Sequence, residues 1–217
     1  MACRHGVPPP SRGRGFASMN LQKINWKIYF KDAESAKPNS SAEALAKADL
    51  FFRVFNSWIP NSPEIFVDVA DYKHVHDGPL VLLAGYYVDY ALDHTDRRPG
   101  FLSSRKQEVK GSALEKIKSS LLEFLKAAQR LSEDPAFGGK LQFTTNELLF
   151  IVNDRALAPN TPASFSELKP VLEEVFYKVI GNKEFNLEHL SNPRQRFSVR
   201  ITCKEEPGLK QMIDRLS

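Results

Sequence analysis

Trp26, Ile28 and Phe30 alternate with Lys27, Tyr29 and Lys31, and this period-two pattern predicts a first strand over residues 25–31 with one buried face. A polar stretch over 32–42, with Pro38, Asn39, Ser40 and Ser41, leads into a helix. Its apolar positions Leu45, Ala48, Phe51, Phe52, Phe55 and Ile59 recur at helical spacing and stop before Pro60. Ile65, Val67 and Val69 alternate again, and a loop runs from Lys73 to Pro79. The unbroken apolar run Leu80–Ala84 reads as a central strand covered on both faces. Val88, Tyr90 and Leu92 alternate, His94 to Gly100 turn, and residues 101–107 return, so the region reads as a three-stranded antiparallel meander.

The second helix carries the strongest local signals. Ser112 and Glu115 form a capping box, and Leu114, Ile117, Leu121, Leu125 and Ala128 share one face up to about Ser132. A hairpin is expected from Lys140 to Asp154. The third helix is then expected with Ser166 as N-cap, Pro170 in its first turn, an inward face of Leu168, Leu172, Val175, Phe176 and Val179, and Gly181 as its terminator. Strands over 185–190 and 196–202 and a short amphipathic tail at Leu209, Met212, Ile213 and Leu216 close the chain.

Both halves thus read strand, helix, strand, strand. The expected class is α+β: antiparallel sheet with three main helices, in a first unit over 21–110 and a second over 111–217, which either stand apart or share one core. Residues 1–20, rich in Pro, Gly and Arg and without an apolar period, are expected to be disordered.

Composition sharpens this reading in two ways. The hydrophobic fraction of 42% with 15 Phe supports a large aromatic core. The formal charge of +4 invites a polyanion as partner, but Arg4, Arg12 and Arg14 in the acid-free first 18 residues supply three of those charges. The rest of the chain is close to neutral, which argues against nucleic acid. No apolar stretch approaches the roughly 20 residues needed to span a bilayer, so no membrane is expected. The first 18 residues lack the apolar run of a secretory signal, and Pro8, Pro9 and Pro10 would break the helix of an organelle presequence. Cys3 and Cys203 form no framework, Cys203 continues the phase of Phe197, Val199 and Ile201 as a buried thiol, and a cytoplasmic location is expected.

Familiar catalytic patterns are missing from the sequence. Gly139-Lys140 has Asp134 where a phosphate loop needs glycine and is followed by Leu141; neither Ser103 nor Ser104 sits in a nucleophile elbow. Chemistry concentrates instead between residues 68 and 98. His74 and His76, two apart on an extended segment, point to one side and with Asp77 can grip a divalent metal ion, although two histidines fall short of the three protein ligands a catalytic zinc usually has. His94 and Asp93 would complete the set only if the chain bends. An unbroken extension from 80 to 93 spans about 43 Å and sends the two turns to opposite ends of the sheet, unless a bulge at Gly85 folds it back. Tyr86, Val88, Tyr90 and Leu92 read as the apolar face of their strand. The wetter face and its turn, Tyr87, Asp89, Asp93, His94, Arg97 and Arg98, are the expected ligand site, because tyrosine and arginine dominate binding hot spots.

The function expected from the sequence is a non-catalytic binding or interaction protein for a small molecule or another protein. The rival is a metal-dependent hydrolase built on His74, His76 and Asp77.

Overall fold

The computed structural model describes residues 21–31, 41–75, 77–181 and 184–217, with the side chains of 41–46 excepted. The expected disorder of residues 1–20, and with it Cys3, lies outside the described residues.

β1 (Ile24–Phe30) is buried along its whole length on both faces. It lies in the middle of one eight-stranded antiparallel sheet, between β5 (Gly100–Arg105) and β6 (Phe143–Val152). With β2 (Phe66–Asp71), β3 (Pro79–Gly85), β4 (Val88–Asp93), β7 (Phe185–His189) and β8 (Phe197–Cys203), the order is β2-β3-β4-β5-β1-β6-β8-β7. The two strand-helix-strand-strand segments therefore meet at the β1–β6 seam in a continuous sheet, and one apolar cluster runs through both.

Among the described residues the four α-helices lie on one face of that sheet. Residues of one parity on β1 meet all the long ones. Phe30 packs on Phe51 of α1 (Ser41–Trp58), and the Trp26 indole donates to Ser120 of α2 (Ala113–Ser132) and packs on Phe176 of α3 (Pro162–Ile180). α4 (Leu209–Leu216) buries Met212, Ile213 and Leu216 against α2 and α3. The capping box of α2 forms as expected, with Ser112 accepting from the Glu115 amide and Glu115 accepting from the Ser112 amide. Among the described residues no helix is long and apolar enough to cross a membrane.

Several local expectations need correction. The meander has four strands, and β3 is not central. It lies second from the edge, with Val81 and Leu83 buried under the helices while Leu80, Leu82 and Ala84 are half-exposed on the other face. In β2 a bulge between Phe66 and Asp68 swaps the alternation, so Phe66 and Val69 are buried and Ile65 and Val67 face solvent. Residues 140–154 form no hairpin. They hold the single strand β6, in which 145–147 are taken up by the register shift opposite Ile28 and Tyr29. α3 is capped five residues ahead of the predicted Ser166, because Thr161 caps the Ser164 amide and Pro162 takes the first helical position; Pro170 consequently sits inside the helix. Tyr86 is exposed in the turn after β3 while Tyr90 is buried, and Cys203 is half-exposed, its thiol directed at the Glu205 carbonyl.

Candidate functional site

β3 ends at Gly85, where an added Cβ would lie 2.1 Å from the Val88 carbonyl oxygen, and the chain reverses through Tyr86 and Tyr87 into β4. This reversal replaces the unbroken strand over 80–93, and the two turns meet at one end of the sheet. The His94 amide donates to the Gly78 carbonyl at 2.7 Å, and the Asp96 amide donates to the Asp77 carboxylate at 2.9 Å. Asp77 thus fastens one turn to the other. The His74 ring lies 6.3 Å from the Tyr72 ring, and His76 lies outside the described residues. Among the described residues no group of three or more His, Cys, Asp and Glu side chains is placed to hold a metal ion.

The six residues expected to form a ligand site separate into three places. Tyr87 and Asp89 are at the far end of β4, Tyr87 exposed against Tyr86 and Asp89 bonded to the Gly85 amide and paired with Lys106 at 2.8 Å. His94 and Arg97 are on the turn, where Asp96 and Arg97 both adopt the left-handed region at φ 60° and 56°. Such strain costs on the order of 1 kcal/mol per residue and gathers at functional sites. Asp93 and Arg98 reach onto the face of the sheet away from the described helices, where Asp93 meets Lys27 of β1 and Arg98 spans from Tyr29 of β1 to Glu147 of β6 in the other half.

Between them lies a groove of about 300 Å³. At one end Asp93 accepts from the Lys27 ammonium at 2.6 Å, and the same ammonium donates to the Thr95 carbonyl. Lys27 is 3% exposed and Asp93 2%. Burial pulls the Lys27 ammonium below its usual value, against the pull of Asp93 upward. Beside it Tyr29 lies under Arg98, whose guanidinium is 3.8 Å from the ring centre; burial pushes the Tyr29 hydroxyl up to about 12, against the opposing charge of Arg98. Arg98 also forms a two-pronged pair with Glu147, which Arg200 shares before reaching Glu188.

No family model matches this chain, and no curated protein matches it. The site is read from its own chemistry. Its floor is apolar: Leu102 and Leu149 flank Lys27 on one rung of the sheet, and Ile151 lies two residues further along β6. The other end is cationic. Arg155 follows β6 and donates to the Pro193 carbonyl, while Arg194 and Arg196 come from the loop between β7 and β8. None of these three guanidinium groups pairs with a carboxylate among the described residues.

Sequence reasoning missed Lys27, Tyr29, Arg155 and the arginines around β8. Lys27 and Tyr29 resemble the solvated side of an ordinary strand. Two signals were present: three arginines within seven residues, Arg194, Arg196 and Arg200, and a first strand whose polar side becomes internal once it lies mid-sheet. The wider depression between α3 and β7, about 590 Å³, sets Lys169 and Lys178 against Glu173 and Glu174 and so favours no sign of charge.

Proposed function

We propose that this chain is a binding protein whose ligand is an anion, held on the helix-free face of the sheet in the groove between Lys27–Asp93 and Arg155, Arg194 and Arg196. The observation that carries this reading is a charge imbalance. The cations at the Asp93 end are matched by carboxylates, whereas the three arginines lining the other end of the same groove have none among the described residues. Guanidinium groups suit carboxylate and phosphate through paired hydrogen bonds. The buried Lys27–Asp93 pair supports the same reading, because an internal ion pair adds little to stability over an apolar pair of equal size and is better understood as organising a site. We place the protein in the cytoplasm, on the cysteine-poor composition.

The test is equilibrium binding of inorganic phosphate, acetate, AMP and octanoate at low and moderate salt. At least one should bind in a salt-sensitive manner, and Arg194→Ala with Arg196→Ala should weaken it about tenfold or more with the melting temperature within a few degrees. Asp89→Asn, at the far end of β4, serves as the unaffected control. Binding that ignores both arginines, or an absence of binding across the panel, overturns the reading.

A further inference from the structure

We infer that the ligand of this groove is a small amphiphilic anion, with a single phosphate or carboxylate end gripped by Arg155, Arg194 and Arg196 and an apolar body laid over Leu102, Leu149 and Ile151. The inference rests on the anion-binding reading above and adds three constraints. The first is where charge is tolerated. At the far end of the groove the Lys27 ammonium is already matched by Asp93, and the Asp96 carboxylate lines the wall. A second anionic group there would meet two carboxylates, so molecules charged at both ends are disfavoured and the charge belongs at the arginine end.

The second constraint is the floor. Leu102 and Leu149 stand on either side of Lys27, both half-exposed, on the face without helices. An apolar body covering them gains from the water released, whereas a bare inorganic anion at the arginines leaves that surface wet. The third is size. At about 300 Å³ the groove lies at the small end of the range for small-molecule sites, roughly 300–1,000 Å³, which suits one short chain or ring better than a polymer.

The experiment is titration calorimetry on the full chain with butyl, hexyl and octyl phosphate, the carboxylates of matching length, 1-octanol and inorganic phosphate. Each added CH₂ should tighten binding about fourfold until the floor is covered. Inorganic phosphate and 1-octanol should each bind about tenfold or more weakly than octyl phosphate. The tighter of the two homologous series names the end group. Replacing Arg194 and Arg196 together by Ala should weaken the anions and leave 1-octanol unchanged, while Leu149→Gln should flatten the dependence on chain length. The slope in the unaltered protein needs no variant. If inorganic phosphate binds as tightly as octyl phosphate and is lost with the arginines, the groove is a plain anion site and the amphiphile is wrong while the anion reading stands. If no anion binds, or binding ignores the arginines, both fail.

Discussion

On one face of β1, Trp26 and Phe30 meet Phe150, Phe176, Phe51 and Phe143 with ring centres 5.0–6.0 Å apart; on the other face of the same strand, Lys27 and Tyr29 meet Asp93 and Arg98. Both faces are buried, yet their chemistry is opposite. Under the helices, dispersion and loss of water hold the side chains, and neighbouring rings can substitute for one another in part. On the open face each partner is specific, because an ammonium or a guanidinium removed from water needs a particular carboxylate. Burial therefore does not distinguish core from site here; what distinguishes them is whether the buried group needs a named partner.

The largest effect should come from breaking one such partnership. Asp93→Ala leaves the Lys27 ammonium buried alone and should cost roughly 3–5 kcal/mol in urea unfolding, most of it restored by adding Lys27→Met. A loss below about 1 kcal/mol would place this face in water and end the contrast. Next, Leu121→Ala under the helices, where Leu121 is fully buried, should cost roughly 2–5 kcal/mol by leaving a cavity, with no charge change able to repair it.

A smaller effect separates the faces by pH. Tyr29 holds its proton to about 12 in the folded chain against 10.0 when unfolded. Between those values the unfolded chain binds fewer protons, so stability present below pH 10 declines as pH rises. Lys27 has the opposite sign: its folded value is below 10.5, so its contribution grows with pH up to that point. Tyr29→Phe should therefore remove on the order of 2 kcal/mol of the stability lost between pH 10.5 and 12, read as unfolding midpoints in parallel with the parent protein. An unchanged slope would show the hydroxyl to be hydrated. The smallest effect is expected at the edge strand, where Ile65 and Val67 are 58% and 69% exposed. Ile65→Thr with Val67→Thr should shift stability by no more than about 0.5 kcal/mol, and a larger loss in a thermal melt would mean that something covers that edge.

The α+β class, the antiparallel pairing, the α2 capping box and the Gly181 stop were legible because each is decided within a few residues. Strand position was not. Leu80–Ala84 reads as central on hydrophobicity, but its place second from the edge depends on where β5 returns, and the reversal at Gly85 depends on the Val88 carbonyl. For the same reason the groove was only half visible. Asp93 and Arg98 stood out in a region dense with charge, whereas Lys27, Glu147 and Arg196 become their neighbours only through pairings across more than forty residues of sequence.

The β1–β6 seam also has a consequence in time. Residues 24–30 leave the ribosome ahead of their β6 partner and cannot complete their pairing until 143–152 have followed, an interval of several seconds at roughly 5–20 residues per second. Of its two sheet neighbours, β1 has only β5 to pair with during that interval, so its other edge lacks the partner it has in the finished sheet. The closing of the sheet, and with it the assembly of the groove, waits until residues 143–152 and 197–203 have been made. Nascent chains stalled before residue 143 should be bound by chaperones through the first strand, and those that have exposed residue 203 should not.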